Sequence, residues 1–194
     1  MRFPFSRTLK LAAASLALVS QAALAAPVNF SGELTDSDPV FNRPLSLLTL
    51  SSVGTAVSYD VFAFHVTADG TYSMETTAAA FNNGGSDETY LTLYANAFDA
   101  SSPLTNLLAL DDDSGAGFLS LINESLQAGV EYFLVLSSYN NRQFGSYAGS
   151  FDTVSGGGQV VLGDAASEVP EPATLALLSL ATLGMGLARR RQRG

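Results

Sequence analysis

The side chains that carry most enzyme and metal chemistry are scarce in this chain. It contains one histidine, His65, and no cysteine. A thiolate nucleophile, a thiolate metal site and a disulfide framework are therefore excluded, and any Ser-His-Asp set would have to use His65. That residue sits between Phe64 and Val66, on the face opposite the phenylalanines, with no second ligand type beside it. It reads as a half-buried strand residue. There is no G-x-S-x-G motif, and among the many acids no pair is singled out for glycoside hydrolysis. The expectation is a protein without catalytic residues, not an enzyme. One acidic cluster remains, Asp111-Asp112-Asp113, followed by Ser114-Gly115. Crowded carboxylates repel one another and suit a hard cation, so Asp111, Asp112 and Asp113 are the candidate metal ligands and Ca²⁺ the candidate cofactor. The EF-hand spacing is not met: with Asp111 as the first position, the sixth is Ala116 rather than Gly and the twelfth is Ile122 rather than Glu. Asp87 and Glu88, or Asp36 and Asp38, would have to complete the shell; the alternative is a solvated loop whose aspartates cap turns. Tyr90, Tyr94, Tyr132, Tyr139 and Tyr147 offer stacking surfaces for sugars, although strand tyrosines also commonly straddle core and solvent.

The formal net charge of −9 conceals a segregation. All 18 acids lie between Glu33 and Glu171, a span that holds only two bases, Arg43 and Arg142. Such a middle repels nucleic-acid phosphates, and a nucleic-acid partner is excluded. The other bases mark the ends. Arg2, Arg7 and Lys10 precede an apolar run, Leu11 to Val19, and then the small residues Ala23-Leu24-Ala25. This is a three-part secretory signal over residues 1–25, with Ala23 and Ala25 forming the signal peptidase site.

At the other end, Val169-Pro170-Glu171-Pro172 precedes an apolar stretch, Ala173 to Ala188, and a basic tail, Arg189, Arg190, Arg191 and Arg193 within residues 189–194. Pro172 suits a first helical position and Glu171 complements the positive end of the helix dipole. Arginines hold the far end in the cytoplasm. At about 1.5 Å per residue the transmembrane helix predicted over 173–188 is ~24 Å long, short for a hydrocarbon core of ~30 Å. A marginal span suits a processed tail that meets the inner membrane transiently. These parts resemble the PEP-CTERM sorting signal of Gram-negative bacteria, which implies recognition at Pro170, Glu171 and Pro172 and cleavage by the membrane protease exosortase. The alternative is an ordinary single-pass anchor.

Between the signals the apolar period is two. In Tyr59 to Val66, Phe62, Phe64 and Val66 share one face; Asp69-Gly70 supplies a turn, and Tyr72 and Met74 resume the alternation, which predicts a hairpin. Further strands are expected at Val28–Leu34, Leu45–Leu50, Thr89–Ala95, Leu107–Leu110, Phe118–Asn123, Glu131–Ser138, Ser146–Val154 and Gln159–Leu162. Short strands parted by Gly, Asn, Asp and Ser loops predict an all-β fold, an antiparallel, jelly-roll-like β-sandwich over residues 26–162, with a linker at 163–168. Phe62 and Phe64, Leu91 to Tyr94, Asp111 to Asp113, and Leu126-Gln127-Ala128-Gly129 leading into Tyr132 resemble the bacterial pre-peptidase C-terminal domain. Members of that family often accompany a hydrolase, which this chain is too short to hold.

The leading expectation is an exported, non-enzymatic protein of the cell surface or exopolysaccharide matrix, released through the inner membrane of a Gram-negative bacterium. Signal peptidase and exosortase are its expected processing partners. One alternative is a carbohydrate-binding module for matrix exopolysaccharide; another is an accessory domain of a secreted hydrolase.

Overall fold

The computed structural model describes residues 26–82 and 87–163. The secretory signal expected at 1–25, the linker expected at 163–168 beyond its first residue, the sorting motif, and the transmembrane segment and basic tail expected after it lie outside the described residues. In chain order the strands are β1 (Val28–Leu34), β2 (Val40–Phe41), β3 (Pro44–Ser46), β4 (Thr49–Leu50), β5 (Val57–Val66), β6 (Gly70–Asn82), β7 (Thr89–Ala95), β8 (Leu107–Asp111), β9 (Leu121–Leu126), β10 (Glu131–Ser138), β11 (Phe144–Ser155) and β12 (Val160–Leu162). No helix occurs among the described residues.

Two sheets face each other. One has the order β1-β11-β6-β9; the other has the order β12-β5-β10-β7-β8, with β2 also paired to β5. Every pairing is antiparallel. From β5 onward the chain repeatedly crosses from one sheet to the other, the jelly-roll-like alternation expected of the sequence. The period of two explains the main core: Phe64 and Val66 of β5, Leu91 and Leu93 of β7, and Leu134 and Leu136 of β10 meet Tyr72 and Met74 of β6 and Phe151 of β11 between the sheets. Burial of side chains of this size contributes about 1.5–3 kcal/mol each, before chain entropy is counted.

A second, smaller core lies on the outer face of the larger sheet. Phe41, Val57, Tyr94 and Val135 are buried there with Tyr59 and Phe98 packed on them. Phe41, Tyr59 and Phe98 meet edge to face at centroid distances of 5.1, 5.3 and 5.8 Å. The connection after β7 covers this face, and the Tyr94 hydroxyl donates to the Pro103 carbonyl at 2.9 Å. This is why β7 and most of β10 are buried on both faces. Among the described residues, both cores are lined by side chains from Val28 to Val160.

Three expectations are corrected. Asp69-Gly70 does not close a hairpin: β5 and β6 belong to opposite sheets, and the turn is an arch between them. Phe64 and Val66 on one side and Tyr72 and Met74 on the other all face inward, which requires the chain to cross the sandwich rather than return beside itself. Leu45–Leu50 is not one strand but the hairpin β3–β4, because the Ser46 and Thr49 hydroxyls hydrogen-bond at 2.7 Å and the Leu48 amide donates to Ser46 Oγ at 3.2 Å. The strand expected from Phe118 begins only at Leu121. Gly117, at φ +71°, and a turn from the Gly115 amide to the Leu119 carbonyl keep the preceding segment out of the ladder.

Candidate functional site

The acidic triplet ends β8, where Asp111 pairs with Leu91 of β7. One Asp111 oxygen accepts from the Ser114 hydroxyl at 2.5 Å, and the other accepts from the amides of Ser114 and Leu121 at 3.0 and 2.8 Å. Asp111 is thus the pivot of an Asx-type turn. Beneath it, buried Thr76, Thr89 and Ser120 share hydroxyl contacts of 2.7 and 3.0 Å, and Ser120 Oγ donates to the Asp112 carbonyl at 3.0 Å. The loop is held to both sheets from below. Partial burial, then the neighbouring Asp113 and Asp111, push the Asp112 carboxyl above the usual carboxylate range. Asp38 and Asp87 likewise accept amide bonds, from Thr35 at 2.6 Å and Phe81 at 2.9 Å. Among the described residues no three of Asp, Glu and His are grouped so as to hold a metal ion. Of the carboxylates considered for Ca²⁺, Asp111, Asp38 and Asp87 each accept a hydrogen bond from a backbone amide nearby in the chain.

Four of the five candidate stacking tyrosines, Tyr90, Tyr94, Tyr132 and Tyr147, are buried, and Tyr139 is half-buried. This corrects the expectation of a tyrosine surface for sugars. Their hydroxyls bind protein instead. The Tyr147 hydroxyl crosses from β11 to the Asp60 carboxylate on β5, joining the two sheets; burial and that carboxylate raise the phenol's pKa. Tyr132 Oη accepts from the Gln127 amide at 2.8 Å, and Gly129 adopts φ +80° in the turn between them.

Arg43, which sequence reasoning did not select, packs against Tyr90 and Tyr139. Arg43 is 0% exposed. Its guanidinium carbon lies 4.0 Å from the Tyr90 ring centroid and 4.3 Å from that of Tyr139. Nε donates to the Tyr139 carbonyl at 2.9 Å and one terminal nitrogen to the Pro44 carbonyl at 3.3 Å, while the other is buried without a partner among the described residues. The Tyr90 hydroxyl donates to the same Pro44 carbonyl at 2.9 Å. Burial pushes the Tyr90 phenol up to about 12; Arg43 opposes this, and Asp112 and Asp111 add to it. The buried cation and the acidic loop therefore act on one ring. His65 is half-buried, opposite Glu131 and Val161, with Nδ1 buried and unpartnered among the described residues. No nucleophile is hydrogen-bonded to it.

At the opposite end, where the β5–β6 arch meets the turn before β10, an open cleft of about 530 Å³ is lined by Asp69, Thr71, Asn96, Gln127, Val130 and Tyr132, among others. The arch and the turn are tied by the Ala128 amide donating to Asp69 Oδ1 at 2.9 Å. Asn96 holds φ +67°, a backbone state uncommon outside glycine. Amide and carboxylate side chains beside apolar ones give this cleft the means to hydrogen-bond a neutral, hydroxyl-rich ligand while shielding its less polar face.

Residues 168–192 match the PEP-CTERM protein-sorting motif, so the chain carries a bacterial signal for exosortase-dependent export and cell-surface sorting. Among solved structures, the chain resembles the pre-peptidase C-terminal domain of a collagenase from Bacillus anthracis, with 18% identity and a TM-score of 0.38 over 64% of this chain and 88% of that one. It also resembles the CBM35 of Abf62 from Cellvibrio japonicus, with 16% identity and a TM-score of 0.35 over 70% of this chain and 99% of that one. Comparison with curated proteins gives no match.

Proposed function

We propose that the protein is a non-catalytic component of the cell surface or exopolysaccharide matrix of a Gram-negative bacterium, delivered there by two cleavages. Signal peptidase cuts after Ala25, residues 173–188 engage the inner membrane transiently, and exosortase reads Pro170, Glu171 and Pro172. The observation that carries this reading is the match of residues 168–192 to the sorting motif. The test is replacement of Pro170, Glu171 and Pro172 by alanine in the native host. Export should persist while an unprocessed form accumulates in the inner membrane; normal loss of the tail would overturn the reading.

The cleft beside Asn96 and Gln127 favours a second reading, retention of a neutral matrix polysaccharide. Affinity electrophoresis in gels containing the host's own polysaccharide checks it. Migration should be retarded for the wild-type protein and restored by Gln127→Ala with Asn96→Gly, the latter chosen because glycine accepts the positive φ. Equal migration with and without polysaccharide would remove this reading.

A further inference from the structure

The β3–β4 hairpin has an unusual combination of rigidity and exposure. Its base is fixed from below: buried Pro44 accepts hydrogen bonds from Arg43 and Tyr90, Arg43 and Ser51 are joined backbone to backbone at 2.9 Å, and Gly54 packs against the Arg43 side chain. Yet Leu45, Leu47, Leu48, Leu50 and Val53 are exposed, Leu48 to 85%. Aliphatic side chains scattered singly on a surface are ordinary; five within nine residues of one anchored projection are not. The electrostatics of the rest of the domain indicate what covers them. Residues 26–163 hold fifteen acidic and two basic residues, a formal charge of −13, so two copies repel over most of their surfaces. From Pro44 to Tyr59 there is no charged residue, the longest uncharged run within residues 26–163. Here two copies meet without placing carboxylate against carboxylate, and both halves of the contact present the same aliphatic side chains.

We infer that the β3–β4 hairpin is a self-association surface, on which a second copy of this chain docks hairpin to hairpin about a two-fold axis. A contact of this size is weak and concentration-dependent. It also strengthens with salt: the Debye length falls from about 30 Å at 0.01 M to about 8 Å at 0.15 M ionic strength, screening the like charges behind the hairpins while leaving the apolar contact intact. This inference does not depend on the sorting reading.

Sedimentation equilibrium of residues 26–163, after a cooperative thermal melt has established that this span folds, tests it. The wild type should show a monomer–dimer equilibrium whose association constant rises at least ~10-fold between those two ionic strengths. Leu47→Asp with Leu48→Asp should be monomeric throughout, whereas Val154→Asp, an exposed apolar residue on β11, should still dimerise. The chain lacks cysteine, so single replacements give a second measurement that does not require charge in the interface. Under mild oxidation Leu48→Cys should form a disulfide dimer at least ~10-fold faster than Val154→Cys, the ratio expected of a specific contact worth about 1.4 kcal/mol. A wild type monomeric at every concentration and salt, or equal cross-linking at the two positions, overturns the inference. So does binding of the monomer to phosphatidylcholine vesicles through the hairpin without any dimer.

Discussion

Replacing Arg43 by lysine should destabilise the sandwich more than replacing it by methionine, although lysine keeps the charge. The guanidinium lies between two rings at 4.0 and 4.3 Å and donates to two carbonyls. Desolvated cation–π contacts contribute ~2 kcal/mol each and hydrogen bonds from a charged donor ~1.5–3 kcal/mol each. Against these stands the cost of a cation out of water with one nitrogen unpartnered, an effective penalty of several kcal/mol. Methionine gives up both the contacts and the penalty and fills most of the volume, for an expected net loss of ~1–2 kcal/mol. Lysine keeps the penalty, but a tetrahedral ammonium cannot lie flat between two rings and reach both carbonyls. Its expected loss is ~3 kcal/mol, within the range for leaving a buried charge poorly compensated. Alanine adds a cavity to the methionine loss, about 24 cal/mol for each Å³ left empty. Urea denaturation of residues 26–163 at neutral pH orders the three variants. Lysine more stable than methionine would refute the reasoning, because charge near the acidic loop, rather than planar stacking and donor geometry, would then dominate.

Gly32→Ala should cost ~1–3 kcal/mol, since a Cβ there would lie 2.3 Å from the Tyr147 hydroxyl oxygen. Tyr147→Phe should recover part of that loss in a double-mutant cycle, and strict additivity would argue against the clash. For Asp112, a folded-state pKa above the ordinary value means that the folded protein holds its proton more tightly than the unfolded chain. Stability attributable to this group therefore falls as pH rises from the usual aspartate range through the raised value. Asp112→Asn should remove that pH dependence and raise Tm near neutrality, read by thermal scans from mildly acidic to neutral pH.

Strands whose side chains follow a simple rule were legible in the sequence. Thr89–Ala95 and Glu131–Ser138 coincide with the observed β7 and β10, because long apolar runs bounded by polar loops leave little freedom in where a strand begins. The arch at Asp69-Gly70 was not legible. A turn signal says that the chain reverses, but not whether the next strand pairs beside the first or across the core, and only the shared inward faces decide it. The stacking tyrosines were misjudged because Tyr132 and Tyr147 face the core between the sheets, while Tyr94 is covered by the connection carrying Phe98 and Pro103 on an outer face that strand alternation alone leaves open to solvent. Arg43 gave no local signal, since its partners Tyr90 and Tyr139 are distant in sequence. The acidic loop was visible as a cluster; that Asp111 would be engaged by its own turn rests on Ser114 and on the distant Leu121 amide.

The pairing of β1 with β11, Val28 opposite Phe151, sets a schedule for export. A chain crossing a membrane with its N-terminus leading delivers β1 first and β11, the strand hydrogen-bonded to it among the described residues, almost last. Until β11 follows, the β1 backbone lacks its ladder, although Phe30 can already meet Phe62 of β5, and a pairing so remote in sequence closes slowly. The delay has an end built into chain order. Fourteen residues lie between Ser155, where β11 finishes, and Pro170, so on the proposed export route the seam between β1 and β11 becomes able to close only shortly before the sorting motif emerges.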